Sequence, residues 1–341
     1  MKRTPVFVTL LAAACLISAA GTALAMSGAG AIALEFPVGA RFNGMGEAGT
    51  ALSQDATAMW WNPGGLAFAN DVAPGRLEFM QSKLVPDLAD DIALYWGGYA
   101  ARKWGGSFGF NMTYLSMGDQ EGTNDHGEST GIFSSNMWAM GFTYGTRIST
   151  NLGAGLGVKY FRDNLAPDAA LQDGRGGSGS TFAVDAGLLW KIPALKANLG
   201  VALANLGPNI THVDEDQSDP LPRKLTFGAA YGVVQGETLS LLLVADYLVP
   251  LLNWNDDNDD YGLGLDFGEN EWGVGTELAY AQSLFLRFGF KKGTGEIEDS
   301  TWGFGLALDR WVGKNITFAY ASVPQAKGLE HVNRISLGYD F

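Results

Sequence analysis

Apolar and polar residues alternate with a period of two over most of this chain, from residue 76 to the C-terminus. In the last such segment Ile335, Leu337 and Tyr339 alternate with Arg334 and Ser336. Successive side chains of a β-strand point to opposite faces, so each segment predicts a strand with one apolar face. Fourteen segments have this pattern, at approximately 76–84, 91–101, 106–117, 134–147, 151–162, 180–191, 197–207, 223–233, 238–249, 271–281, 284–292, 300–310, 315–323 and 332–341.

The connectors between these segments alternate in length. Those after even-numbered segments are short, at 102–105, 148–150, 282–283 and 311–314, whereas most of those after odd-numbered segments are long. An even strand number with short periplasmic turns and long outer loops is typical of bacterial outer-membrane barrels. The pattern therefore predicts an all-β transmembrane protein, an antiparallel outer-membrane β-barrel of about 14 strands over residues 76–341. A soluble periplasmic β-sandwich is the alternative.

The N-terminus predicts export. Two basic residues precede an apolar run at 6–20, and the ALA sequence at 23–25 forms a small-x-small cleavage site. This arrangement predicts a cleaved signal peptide over residues 1–25. The alternative, a membrane anchor helix, requires a longer apolar run of ~20 residues. The single cysteine, Cys15, lies in the removed segment, so disulfides and cysteine-based metal sites are not expected.

Composition agrees with an exported membrane barrel. Hydrophobic residues make up 47% of the chain, with 47 Gly, 19 Phe, 11 Tyr and 10 Trp, yet no further stretch is apolar over the ~20 residues of a membrane-spanning helix. The formal net charge of -14 becomes -16 without the two basic residues of the signal peptide. This acidic excess argues against nucleic acid as a partner.

Residues 26–75 lack the alternation, and we expect them to form a small hatch, or plug. The central part, 39–66, reads GARFNGMGEAGTALSQDATAMWWNPGGL. Glycines allow close backbone approach, while Asp55 is placed to cap a short helix through Trp60 that a proline then ends. The candidate hatch residues are Gly39, Arg41, Gly44, Met45, Gly46, Asp55, Trp61, Asn62, Pro63 and Gly64.

Two blocks of sequence resemble the FadL superfamily of outer-membrane barrels, and within it most closely the PorV/PorQ branch. The first block is the hatch segment with its WNPGGL motif at 61–66, where Gly64 replaces the alanine usual in that family. The second is VALANLGPNI at 201–210, followed by DPLPRKLTFGAAY at 219–231. The resemblance implies a fourteen-strand barrel with an N-terminal hatch.

Glycine on the predicted inward face, at positions such as Gly153, Gly155, Gly157, Gly303 and Gly305, leaves space that larger side chains would fill. The hatch is the expected occupant of that space. Inward ionisable residues are expected at Lys159, Asp185, Asp246, Glu277, Arg287, Lys291, Asp309, Arg334 and Asp340. They pair with one another, hold the hatch through residues such as Arg41 or Asp55, or line water.

The predicted outer loops are acidic and are candidates for partner binding. The candidate residues are Asp119, Asp125, His126, Asp214, Asp216, Asp256 and Asp259. The DDNDDY sequence at 256–261 begins like an EF-hand calcium loop, but Tyr261 and Phe267 occupy the positions of the required Gly and Glu. The three histidines lack metal-ligand spacing, so we predict neither a metal site nor a cofactor.

Aromatic residues near strand ends are typical of membrane-interface girdles, although a soluble β-core would also bury them. They are Trp96, Trp104, Trp138, Trp190, Trp272, Trp302 and Trp311. The terminal Phe341 resembles the signal that outer-membrane barrels present to their assembly machinery. A GxSxG nucleophile motif is absent from the sequence, and we predict no enzymatic activity.

The resemblance implies two functions. PorV-like proteins are docking sites of a type IX-like secretion pathway: their outer loops bind a C-terminal domain shared by secreted proteins, which pass to an attachment machine. FadL-like barrels instead carry hydrophobic small molecules passively across the outer membrane. We predict docking through segments 118–133, 208–222 and 250–270, with transport as the alternative. A structural barrel that binds other membrane proteins is the third hypothesis, and outer-membrane lipid surrounds the barrel in each.

Overall fold

The computed structural model describes residues 30–71, 73–123, 126, 128–166, 177–212, 218–251, 270–293, 297–309, 315–325 and 329–341. The predicted signal peptide, 1–25, lies outside the described residues. Fourteen antiparallel strands form one closed barrel in which every strand pairs with its neighbours in sequence. They are β1 (Gly75–Lys83), β2 (Ile92–Lys103), β3 (Gly106–Thr123), β4 (Ser129–Arg147), β5 (Leu152–Ala166), β6 (Gly177–Ile192), β7 (Ala197–Leu206), β8 (Lys224–Gln235), β9 (Leu239–Pro250), β10 (Glu271–Tyr280), β11 (Leu284–Lys292), β12 (Glu298–Ala307), β13 (Ile316–Val323) and β14 (Val332–Asp340).

Pairing of β1 with β14 closes the barrel. The register sets Arg76 opposite Asp340 and Ser82 opposite Arg334. On β14 the side chain of Leu337 is 50% exposed, whereas that of Arg334 is 3% exposed. The predicted alternation is therefore confirmed, with an apolar face toward lipid and a polar face toward the lumen.

The two ends of the barrel differ in the length of their connectors. Residues 104–105 join β2 to β3 and residues 281–283 join β10 to β11, both after even-numbered strands. The connectors after β7 and β9 are long, at 207–223 and 251–270. The predicted topology is confirmed: the short turns mark the periplasmic end and the long connectors mark the outer end.

The predicted outer loop at 118–133 is mostly strand, so the sequence-based boundaries were wrong there. Gly118 has a φ of +76°. It lies at a register shift between Ser116 and Asp119, where β3 forms a bulge and then continues to Thr123. A bulge position with positive φ is most easily occupied by glycine. In a sequence, a glycine after an alternating segment indicates the end of a strand, although here the strand continues.

Trp96 was predicted to belong to the aromatic girdle at the membrane interface, and this prediction was wrong. Its side chain is 1% exposed and faces the lumen, because the outward positions of β2 are Tyr95, Gly97 and Tyr99. Trp104, Trp190 and Trp302 lie on the outer surface as expected. The terminal Phe341 stacks on Tyr99, with ring centroids 5.9 Å apart. The last residue of the chain therefore contacts the strand beyond the closing seam.

The described part of the segment before β1, residues 30–71, contains only short helical elements. They are a 3₁₀ helix at Ile32–Leu34, α1 (Ala40–Asn43), α2 (Ala58–Trp61) and a second 3₁₀ helix at Pro63–Asp71. The Asp55 carboxylate accepts the backbone N–H of Thr57 at 2.9 Å, which is the bond expected of the predicted cap, and the regular helix begins at Ala58 after this turn. Within the described residues, every helix is too short or too polar to cross a membrane.

Candidate functional site in the lumen and at the outer rim

The hatch, residues 30–71, lies inside the barrel. A Cβ atom at Gly155 of β5 would lie 2.1 Å from the carbonyl oxygen of Pro63, and one at Gly275 of β10 would lie 2.3 Å from that of Met45. Because β5 and β10 are on different sides of the ring, the hatch spans the lumen. The predicted inward orientation of Gly155 is confirmed, and inward glycines let the hatch backbone touch the wall.

The hatch runs from the outer end of the barrel to the periplasmic end. The backbone N–H of Gly30 donates to the carbonyl of Pro220, which lies in the long outer connector between β7 and β8. At the other end, Asp71 forms ion pairs with Arg147 and Lys191 at the periplasmic ends of β4 and β6. The sequence analysis missed this anchor. Its only trace in the sequence is a basic residue at the end of each of these strands.

Polar side chains of the wall satisfy backbone N–H groups of the hatch. Four hatch N–H groups donate to side chains on three different strands. Ala40 donates to Ser336 Oγ (2.9 Å), Gly46 to Thr301 Oγ1 (2.8 Å), and Gly49 and Thr50 both donate to Asp246 Oδ2 (2.9 Å each). All four bonds are buried. Buried N–H groups need such partners, so these bonds fix the height of the hatch in the barrel.

Arg41 binds a carboxylate of the wall. Its Nη2 and Nε lie 2.7 and 2.9 Å from the two oxygens of Glu277 on β10, and Arg287 Nε on β11 donates to the same carboxylate at 2.7 Å. Glu277 and Arg287 are buried. Of the two hatch residues named as candidates for holding the plug, Arg41 makes this contact. Bidentate guanidinium–carboxylate pairs are among the stronger charged contacts in proteins.

Glu47 forms a second charged contact between hatch and wall. Its Oε2 lies 2.5 Å from Lys291 Nζ on β11, and its Oε1 lies 3.5 Å from Arg334 Nη1 on β14. Burial alone would raise the pKa of Glu47, but attraction to Lys291 and Arg334 outweighs burial and lowers the pKa below its ordinary value. The stabilisation from Glu47 is therefore present above its ordinary pKa and is lost as pH falls through the lowered one.

Asn62 holds the WNPGG turn to both the hatch and the wall. Its amide nitrogen donates to the carbonyls of Thr50 (2.8 Å) and Leu188 (2.9 Å), and its side-chain oxygen accepts the N–H of Gly64 at 3.0 Å. The indole N–H of Trp61 donates to the carbonyl of Val38 at 2.9 Å. Every polar group of the Asn62 side chain is thus used, and this explains the residue types at these positions.

The remaining lumen candidates fall into different arrangements. Lys159 pairs with Asp185 at 2.8 Å, so these two residues bind each other and not the hatch. Asp340 pairs with Arg76 at 2.9 Å across the closing seam. Asp309 was predicted to face the lumen but lies beyond the end of β12, in an exposed position. That difference arises because the strand ends at Ala307.

The outer candidates are only partly described. Asp119 lies exposed on β3, where its N–H donates to Asp91 Oδ2 at 3.0 Å, and His126 lies exposed in the tip of the β3–β4 hairpin. Asp125, Asp214, Asp216, Asp256 and Asp259 lie outside the described residues. The sequence analysis missed the contact of His212 with the buried Asp163, at 3.1 Å.

The sequence matches a described family over most of its length. The family of the type IX secretion system protein PorV matches residues 26–250, which include the hatch and β1 to β9. This chain belongs to the PorV family. Family membership and the closed fourteen-strand barrel together assign it to the outer membrane. No curated protein matches the sequence.

Solved structures share the fold of this PorV-family chain. The toluene transporter TbuX of Ralstonia pickettii matches with a TM-score of 0.56 and 15% identity, covering 89% of this chain and 98% of TbuX. The toluene transporter TodX of P. putida matches with a TM-score of 0.55 and 13% identity, covering 89% and 98%. CymD, a monoaromatic hydrocarbon channel, matches with a TM-score of 0.54 and 15% identity, covering 89% and 97%. At these identities the likeness is one of fold alone.

The contact between Pro63 and the wall predicts the effect of a single methyl group. Gly155→Ala places a Cβ 2.1 Å from the Pro63 carbonyl oxygen, so the hatch must shift. We expect a loss of about 1–3 kcal/mol in the free energy of unfolding in detergent, together with faster proteolysis of the hatch. Gly97→Ala is the matched control, because nothing lies within 4 Å of its Cβ. Equal stability of the two variants would contradict the contact.

The charged contact at Glu277 predicts a large effect of neutralisation. Glu277→Gln leaves the guanidinium groups of Arg41 and Arg287 without their shared carboxylate, and we expect a loss of about 3–5 kcal/mol in the free energy of unfolding. The measurement is urea unfolding in detergent micelles. Asp90→Asn is the control, because the ion pair of Asp90 with Lys83 is exposed and should contribute less than about 1 kcal/mol. Similar losses in both variants would refute the buried charge arrangement.

Proposed function

We propose that this PorV-family barrel docks secreted proteins at the cell surface, in a type IX-like secretion pathway, by binding and without catalysis. The observation that carries the proposal is the hairpin of β3 and β4, which extends outward past the ends of its pairing with the flanking strands β2 and β5. Secreted proteins that share a C-terminal domain are the proposed cargo. An attachment machine that takes the cargo over is the proposed second partner.

The hairpin is much longer than the membrane requires. β3 and β4 contain 18 and 19 residues, whereas a tilted membrane-spanning strand needs about 9–11 residues. Pairing of β3 with β2 ends at Met117, but pairing of β3 with β4 continues to Thr123 and Ser129. Residues 118–123 and 129–134 therefore form a two-stranded ribbon beyond the pairing with β2 and β5, and we call the segment 118–134 the outer hairpin. A ribbon of this kind supports docking, because within the described residues no other strand covers it.

The outer hairpin carries both apolar and charged groups. Ile132 is 78% exposed, and Asp119 and Glu121 are exposed on the neighbouring strand. The β3 edge beyond Met117 has backbone groups that no strand in the described part of the chain pairs with, so a strand of a partner can add there. The acidic residues favour a partner with a basic patch, and the association rate should fall as salt rises.

The fixed hatch also supports docking over transport. Four backbone bonds and two charged contacts hold the hatch to five strands of the wall, from β9 to β14. Opening the lumen would leave Glu277 and Arg287 buried without the Arg41 contact. Docking at the outer hairpin leaves every one of these contacts in place.

Removal of the outer hairpin tests the proposal. We expect a chain in which a two-residue turn replaces 118–133 to form a barrel in the outer membrane but to leave secreted cargo unattached, because the partner surface is gone. The measurement is the amount of cargo on intact cells, with heat-modifiable gel mobility as the check on folding. Normal cargo attachment by the folded variant would contradict docking at this hairpin.

Point substitutions give a matched test that preserves the backbone. Ile132→Ser with Asp119→Asn should reduce cargo attachment at least several-fold, since one apolar and one acidic group are removed from the proposed contact surface. Leu239→Ser with Glu237→Gln is the control, because both residues are exposed at the periplasmic end of β8 and β9. The control should attach cargo as the unmodified chain does.

Passive transport of hydrophobic compounds is the second candidate function. It is favoured by an apolar groove on the lipid-facing side of β1, β2 and β14, where Gly97 lies between Phe79, Tyr99 and Leu337. The fold shared with the toluene transporters TbuX and TodX supports the same candidate. The pairing of β1 with β2 continues unbroken past Gly97, which argues against a gap in the wall.

Conductance distinguishes a gated lumen from a fixed one. Asn62→Ala removes the bonds to Thr50 and Leu188 that hold the WNPGG turn. If the hatch gates a path, conductance in planar lipid bilayers should rise by at least several-fold in Asn62→Ala. Under the docking proposal we expect unchanged conductance in Asn62→Ala and in the control Asn333→Ala, whose side chain lies exposed at the outer rim.

A further inference from the structure

A cavity of about 200 Å³ lies in the lumen, on the outer side of the hatch. The hatch contributes Trp60 and Glu47 to its walls, and the barrel contributes Lys224, Asp246 and Glu271. Lys224 and Glu271 are the first residues of β8 and β10, so the cavity lies near the outer ends of these strands. The cavity is separate from the outer hairpin, so a ligand can occupy it whether or not the hairpin docks cargo.

The walls of this cavity hold buried polar atoms that have no partner in the described part of the protein. Five such atoms belong to residues that line it: Thr50 Oγ1, Arg223 Nη1, Asp246 Oδ1, Gln325 Oε1 and Arg334 Nε. Among them, the side chains of Arg223, Asp246 and Arg334 are more than nine-tenths buried. Buried polar groups are costly when unpaired, so these atoms point to an occupant that donates and accepts hydrogen bonds.

The charges of Lys224 and Glu271 indicate which charges the occupant carries. Within the described residues neither side chain forms an ion pair or a hydrogen bond, in contrast to Lys291 and Glu47, which bind each other at 2.5 Å. The ammonium of Lys224 lies 4.0 Å from the centre of the Trp60 ring, and Glu271 also lines the cavity. Their strands are separated by β9, and within the described residues the two side chains do not form an ion pair with each other.

We propose that this cavity binds a small zwitterion of amino-acid size, with its carboxylate at Lys224 and its ammonium at Glu271. A volume of about 200 Å³ accommodates such a molecule, or about seven waters in its place. The Trp60 ring, beside Lys224, contributes to the apolar part of the wall. The unpaired oxygen of Asp246, Oδ1, adds a further acceptor for the ammonium group.

A purely apolar ligand would leave the polar groups of this cavity without partners. A hydrocarbon chain here would not pair with the five unpaired atoms or with the charges of Lys224 and Glu271, and that would oppose binding. An acid without an ammonium group would satisfy Lys224 but leave Glu271 unpaired. A zwitterion satisfies both charges at once, and for this reason we choose it over a fatty acid or an aromatic hydrocarbon.

Calorimetric titration of the full mature chain in mild detergent tests the proposal. The probes are the standard amino acids, and each one that binds is compared with its N-acetyl and its amide derivative, which lack the ammonium and the carboxylate respectively. We expect saturable binding of at least one amino acid and at least tenfold weaker binding of both blocked derivatives. Lys224→Met and Glu271→Gln should each weaken binding at least tenfold, while Lys224→Arg should retain it within a few-fold.

Lys103→Met and Glu237→Gln are the matched controls, since both residues are exposed at the periplasmic end of the barrel, and they should bind as the unmodified chain does. The absence of saturable binding by every amino acid would overturn the proposal and leave water as the occupant. Equal affinity for the blocked derivatives, or full competition by decanoate, would also overturn it. These comparisons on the unmodified chain remain decisive if a variant at Lys224 or Glu271 fails to fold.

Discussion

Contact between the backbone of the hatch and the backbone of the barrel wall is possible only where the wall has no side chains. A ring of fourteen strands is too wide for its own side chains to fill. At Gly155 and Gly275 the wall carries no side chain, and the carbonyls of Pro63 and Met45 lie against it. In the hatch, Gly46 has a φ of +73° and lies against β10 and β11 in the same way. The wall and the hatch therefore act as a single packed core, and neither would be well packed alone.

Charge is shared across the same boundary. Glu277 and Arg287 belong to the wall and Arg41 to the hatch, so the buried ion pairs are complete only when the hatch is seated. Glu47 of the hatch in turn lies against Lys291 and Arg334. Removing one partner from a buried ion pair is strongly destabilising. The hatch is therefore a structural part of the barrel. A surface-docking role uses such a barrel as a rigid support.

The sequence alone was enough to predict most of the barrel. The period of two and the alternating connector lengths depend on local pattern, so fourteen strands, their order and the side of their loops could be predicted directly. The predicted end of β3 was wrong, because Gly118 forms a bulge inside the strand. The predicted outward position of the Trp96 side chain was also wrong, because the apolar residues of β2 occupy both faces. Local pattern does not encode these features. The contacts of the site were less predictable still. Arg41 and Glu277 were both candidates, but 236 positions separate them along the chain. Their pairing depends on how the hatch is positioned in the closed ring.

The position of the hatch has a consequence for the order of assembly. The segment 30–71 precedes β1 and crosses the lumen from end to end, while the barrel closes at the seam between β1 and β14. Once that seam is paired, the segment cannot enter through the side of the wall. It therefore reaches the lumen either while the sheet is still open, before the last strand pairs, or afterwards through the periplasmic mouth, where it joins β1.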